Sequence, residues 1–190
     1  MATEIGRPRN RGIDEAVLRA TVELLGQASY AELSVDAIAA RAGTSKPAIY
    51  RRWPSKAALV HEAVFPLDAT TELVFTGTLL GDIREMVRRT AAVFGTPAAR
   101  TALPGLVGEM AADPVLHTAL LQRFAGILEH GLGDYLAEAV RRGEVRAGVT
   151  AADLAESIAG ITFLALLTRG VPEDEWIDRT ATLITKGISA

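Results

Sequence analysis

Apolar residues in the first third of the chain recur at helical spacing and are interrupted by turn residues. Ile13, Val17, Ala20 and Leu24 share one face and the run stops at Gly26, which predicts a helix over residues 14–25. A second helix, barely two turns long, follows Ser34 as N-cap and turns Val35, Ile38, Ala39 and Ala42 inward. It ends at Gly43, which accepts the left-handed backbone of a helix end. A third restarts at Thr44-Ser45 and runs to about Arg52, with Pro47 near its start, where a missing N–H costs no hydrogen bond. Trp53-Pro54 breaks it. Ser55 caps a fourth helix, which passes Leu59 and Val64 to end at Phe65 before Pro66.

Residues 66–77 show no helical period, and an aperiodic run of that length predicts a boundary between two units. Helices are then expected over residues 79–94, 98–112 (broken at Pro104-Gly105), 114–142, 150–168 and 172–187, with Thr78, Asp113 and Thr150 at N-cap positions. Gly143 and Gly170 follow helix ends. No segment alternates long enough for a strand, although residues 73–75 are short and extended in character. The expectation is an all-α protein of about nine helices.

Composition narrows the chemistry. The 190 residues are 49% hydrophobic and 23% charged, a globular balance. With no cysteine, disulfides, thiolate nucleophiles and thiolate metal sites are excluded. The longest apolar run, residues 158–167, falls short of the ~20 residues of a membrane span, and the N-terminus lacks a signal-peptide core, so a cytoplasmic protein with no membrane partner is expected. The net charge of -3 is divided unevenly: residues 1–56 hold nine Lys/Arg against six Asp/Glu, and the remainder is acidic. The N-terminal third suits a polyanion.

Two short helices joined by a Gly-containing turn, Ala42-Gly43-Thr44-Ser45, are what a helix-turn-helix requires. If Ile38 and Ala42 bury against Ile49, then Lys46, Pro47, Ala48 and Arg51 face outward, with Tyr50 and Lys56 at the edges. A phenol hydroxyl and an ammonium donate to phosphate oxygens without reading a base. Ser34, Thr44 and Ser45 add hydroxyls and helix N-terminal amides suited to anions. Arg51 is the candidate for a guanine edge, and Arg52 for a base or a phosphate.

Residues 33–59, above all Ser45-Lys46-Pro47-Ala48-Ile49-Tyr50 followed by Trp53-Pro54-Ser55-Lys56, resemble the DNA-binding region of the TetR family of bacterial transcriptional regulators. With the preceding helix the resemblance covers about a third of the chain. It implies a TetR-like fold: a small three-helix DNA-binding domain joined by a fourth helix to a helical-bundle domain for ligand binding and homodimerisation. It further implies that Ser34, Ser45, Tyr50 and Lys56 hold phosphates while Lys46, Pro47, Ala48 and Arg51 face bases. The chain departs from the family at Ser29-Tyr30, where Gly before the aromatic is usual, and at Trp53, where Phe is more common. A left-handed strain at Ser29 is one expected consequence.

The expected division is a flexible basic arm at 1–11, a DNA-binding domain with its linking helix at 12–65, and an effector and dimerisation domain at 66–190. In the arm, alternating Arg and Pro keep Arg7 and Arg9 extended for an A·T-rich minor groove, against the plainer alternative of a solubilising tail. Ala155, Ala159, Gly160, Phe163 and Leu167 of the helix over 150–168, with Trp176, Thr180 and Ile184 of the last, are the candidate dimer contacts. Met86, Thr90, Phe94, Met110, His117, Leu121 and Phe124 are candidate contacts for an unidentified, mostly apolar effector.

Catalysis finds little support. His117 and His130 stand on well-separated faces of one helix, and no H-E-x-x-H, P-loop or G-x-S-x-G is present. No cofactor, metal or catalytic residue is assigned. The reading is a ligand-responsive regulator, most simply a repressor, that binds double-stranded DNA at an inverted repeat. The alternative is a helical small-molecule-binding or protein-interaction adaptor without sequence-specific DNA binding.

Overall fold

The computed structural model describes residues 11–66, 75–119 and 131–190. The described residues are helical: α1 (Arg11–Leu25), α2 (Val35–Ala42), α3 (Lys46–Tyr50), α4 (Lys56–Val64), α5 (Leu79–Phe94), α6 (Pro97–Ala112), α7 (Gly133–Arg141), α8 (Ala151–Arg169) and α9 (Asp174–Ile188). Residues 114–119 are also helical. No strand occurs among the described residues, and a single bridge pairs Val145 with Ser189 near the C-terminus.

Local chemistry sets most of these boundaries. Ser34, Ser45, Ser55, Thr78, Thr96 and Thr150 each accept the amide three residues on with their own hydroxyl oxygen. Asp113 does the same for Val115 and Leu116 through its carboxylate. Gly43 closes α2 at φ 66°, and its amide donates to Ala39 and Ala40. No residue other than glycine has positive φ among those described, so the turn at Ser29-Tyr30 carries no left-handed strain. Glu32 shapes it instead, accepting from the Ser29 amide at 3.0 Å and the Ser29 hydroxyl at 2.7 Å.

Several elements differ from expectation. The third helix is only five residues, because Ser45 is its cap and Arg51 already closes it. The α6 helix runs unbroken through Pro104-Gly105. Proline removes one hydrogen bond, leaving the Arg100 carbonyl without its usual partner, but Ala99, Ala102, Leu103 and Leu106 bury the same helix on both sides of it. The 19-residue α8 has the length and mean hydropathy of a membrane span, contrary to the estimate from residues 158–167 alone. Its side chains Leu154, Ile158, Thr162 and Leu166 are buried in a bundle.

Two hydrophobic cores organise the chain. The first gathers Val17, Leu25, Tyr30, Leu33, Ile38, Ile49, Trp53, Leu59, Val60 and Phe65 with Ala99, Ala102 and Leu106 of α6 and Leu166 of α8. The second joins Ile83 and Val87 of α5, Tyr135 and Leu136 of α7, Leu154 and Ile158 of α8, and Ile177, Ala181 and Ile184 of α9. The packing of the first four helices therefore continues into α6 rather than stopping at Pro66.

A buried carboxylate ties the start of α5 to α7. Asp82 accepts from the Thr76 amide at 2.6 Å, the Thr76 hydroxyl at 2.8 Å and the Tyr135 hydroxyl at 3.1 Å. Burial and then the Asp82 charge raise the Tyr135 phenol above its ordinary pKa. Asp82→Ala leaves these donors unpaired and is expected to cost about 1–3 kcal/mol, read as a lower urea midpoint at unchanged slope.

On the α5 surface Glu85 accepts from Arg88 at 2.7 Å and Arg89 at 2.9 Å, and these bonds lower its carboxyl from the ordinary 4.5 to about 2. A depressed folded-state pKa contributes stability above the unfolded value, and that contribution is lost as pH falls from about 4.5 toward 2. Thermal unfolding between those limits is expected to show a shallower acid loss in Glu85→Gln than in the parent.

Candidate nucleic-acid interface

The α2–turn–α3 unit is held from below and left open above. Ile38 and Ile49 are buried, with Ala42 packed partly against the same core. Lys46, Pro47, Tyr50 and Arg51 are exposed and Ala48 is half-buried, which puts the expected base-facing positions on the outer side of α3. At its margins, Ser34 and Ser45 accept the Ala37 and Ala48 amides through their hydroxyl oxygens. Capping uses a lone pair and leaves each hydroxyl proton available for a phosphate oxygen. The Thr44 amide is engaged differently: it donates to the Ala39 carbonyl at 3.0 Å, closing α2.

The cations divide into free and engaged groups. The Arg51 guanidinium has no hydrogen-bond or ion-pair partner among the described residues. Arg52, also expected at the interface, is turned back: it pairs with Asp14 of α1 and donates to the Ala48 carbonyl at 3.3 Å. It braces α3 against α1. Lys46 donates to Asp36 of α2 at 2.8 Å, and that bond raises its pKa, so the ammonium stays charged. Lys56 donates to the Tyr30 carbonyl at 3.0 Å and sits 4.2 Å from the centre of the Tyr30 ring. One of its three N–H donors is thus engaged. Trp53 is buried in the first core, and its indole N–H donates to Glu62 of α4 at 3.0 Å.

Arg7 and Arg9 lie outside the described residues, as do Leu121 and Phe124 of the expected effector set. The rest of that set does not converge. Met86 packs on the second core, while Phe94 packs on the first and meets Phe65 edge-on at 5.6 Å. The Thr90 hydroxyl donates to the Met86 carbonyl of its own helix. Met110 is half-buried and His117 is exposed. A cleft of about 440 Å³ instead opens between α6 and α8, lined by Pro97, Arg100, Thr101, Leu103, Pro104, Leu166 and Leu167. Pro104, where the sequence predicts a break, lines it from within the continuous α6.

The dimer candidates also separate. Thr180 and Ile184 are both buried within the chain, Ile184 in its second core. Trp176 and Ala155 pack partly on that core and Phe163 on the first. Gly160 and Leu167 are exposed and Ala159 is half-buried. Leu164 of α8 and Leu183 of α9 are 61% and 66% exposed. An amphipathic pattern marks an apolar face without saying which neighbour covers it.

Comparison with known proteins agrees with this geometry. Residues 17–63 match the model for bacterial regulatory proteins of the tetR family. Residues 75–184 match the model for tetracyclin repressor-like C-terminal domains. The chain is 33% identical to the DNA-binding transcriptional repressor TetR of Mycobacteroides abscessus, over 84% of each chain. It is 31% identical to the HTH-type transcriptional regulator YdeS of Bacillus subtilis, over 90% of this chain and 86% of that one. Among solved structures, the TetR family regulator SCO0332 aligns over 94% of this chain and 99% of its own, with a TM-score of 0.71 and 26% identity. Salmonella enterica GusR shares the fold at a TM-score of 0.70 and 17% identity, over 95% of this chain and 97% of its own. Two matched domains and relatives along most of the chain explain why an exposed, cation-bearing α3 stands on a helical bundle: the protein belongs to the TetR family of DNA-binding transcriptional regulators, which are not enzymes.

Proposed function

We propose that the protein is a repressor that binds an inverted-repeat operator as a homodimer and leaves it when a small-molecule effector binds. The observation that carries this reading is the exposed face of α3, with Lys46, Pro47, Ala48 and Arg51 outward and Ile49 buried beneath. Lys46, Ala48 and Arg51 face base edges, and Ser34, Ser45, Tyr50 and Lys56 hold phosphates around them. Arg52 acts as a brace and Thr44 serves the turn. Arg7 and Arg9 extend the contact into a minor groove. The repressor name of the Mycobacteroides abscessus relative supports repression as the output.

Residues 12–65 form the reading head and 66–190 the regulatory domain. A partner copy covers Gly160, Leu164 and Leu167 of α8 and Leu183 of α9, an exposed apolar strip that water otherwise meets. Two heads fit one face of B-DNA when they lie ~34–36 Å apart. The α6–α8 cleft is the favoured effector seat. Its walls include Leu103 and Leu166, members of the core that also holds α4, so a ligand there alters the spacing of the heads. The protein acts in the cytoplasm, on the nucleoid through its DNA.

Selection from a random DNA pool by the purified full chain tests this reading. An enriched inverted repeat with one dimer bound per site is expected. A pool that shows no enrichment at low salt, with folded protein, contradicts it.

A further inference from the structure

Tyr30 stands where three features meet. Its ring is buried in the turn between α1 and α2, against the backbone of α6: a Cβ placed on Gly105 would lie 2.2 Å from the ring. A glycine inside a helix is unfavourable relative to alanine, and here it makes room for the aromatic face. The Lys56 ammonium also sits over the ring at 4.2 Å and donates to the Tyr30 carbonyl at 3.0 Å. Burial and the Glu109 carboxylate of α6 raise the phenol above its ordinary pKa, so the ring stays neutral and keeps its attraction for a cation.

We propose that Tyr30 is a positioning residue through which α6 sets where Lys56 meets DNA. The ring lies against Gly105 and also carries the Lys56 ammonium, so a displacement of α6 moves the ring, and the ammonium follows. This carries a change in the regulatory domain to a phosphate contact independently of the spacing between heads. The inference rests on the reading of Lys56 as a phosphate ligand, and the test separates the two.

Binding of the selected operator fragment is measured against salt for Lys56→Ala, Gly105→Ala, Tyr30→Leu, Tyr30→Phe and the Gly105→Ala/Lys56→Ala pair, each checked for helicity and dimer content. Lys56→Ala is expected to weaken binding and to lower the salt slope by about one per head. Gly105→Ala and Tyr30→Leu are expected to weaken it about threefold or more with a reduced slope, and Gly105→Ala to add nothing once Lys56 is absent. Tyr30→Phe keeps the ring and carbonyl and is expected to bind as the parent does. The leucine variant keeps the test alive if the alanine at 105 fails to fold. Parental affinity and slope in Lys56→Ala would remove the phosphate contact, and the proposal with it. A weakened Lys56→Ala beside fully active Gly105→Ala and Tyr30→Leu would overturn the positioning role alone. Equal losses from Gly105→Ala with and without Lys56 would also overturn it, since they would reduce the contact to ordinary packing.

Discussion

Replacing Ile49 with alanine is expected to cost about 2–5 kcal/mol of stability, the range for emptying a buried aliphatic site. Ile49 is 1% exposed and shares the first core with Ile38, Trp53 and Leu59. The five-residue α3 has too few internal hydrogen bonds to persist alone, so this anchor keeps the reading face in place. A loss of that size is a large share of the ~5–15 kcal/mol that holds a typical domain folded. Denaturant unfolding supplies the measurement. A change below about 0.5 kcal/mol would show that α3 is held by something other than its buried face.

Arg51→Ala is expected to reduce operator affinity and to relax preference at one base pair in each half-site, by about 1–3 kcal/mol per bidentate contact. The guanidinium is exposed and has no partner among the described residues, so no internal bond must break before it reaches a groove. Its neighbour differs. Arg52→Ala removes the pair with Asp14 and the bond to the Ala48 carbonyl, and is expected to lower stability more than to alter base preference. Repeating the random-pool selection with each variant separates these roles: an unchanged motif from Arg51→Ala would contradict the assignment.

Features decided within a few residues were legible from the sequence. A serine hydroxyl reaches the amide three positions on whatever the rest of the chain does, so the caps at Ser34, Ser45 and Ser55 followed from residue type and spacing. The buried and exposed sides of α3 followed from Ile49 and its neighbours. Features decided across the chain were less so. Whether Arg51 or Arg52 faces outward depends on Asp14, one helix away. The continuity of α6 through Pro104-Gly105 depends on burial of its flanking residues and on the ring of Tyr30 lying against Gly105. Ile184 lies on an apolar face whose neighbour is the chain's own core, and its spacing alone does not say so.

That the outer face of α3 and Lys56 beside it hold DNA is tested most directly by salt. Lys56 from each of two heads would neutralise two phosphates, so log K against log salt is expected to fall linearly with a slope of about -2 or steeper. Binding to the selected operator, titrated from about 50 to 200 mM salt, reads that slope. A falling line that becomes shallower when Lys56 is removed is the expected result. A flat line, or a slope indifferent to Lys56, would contradict it.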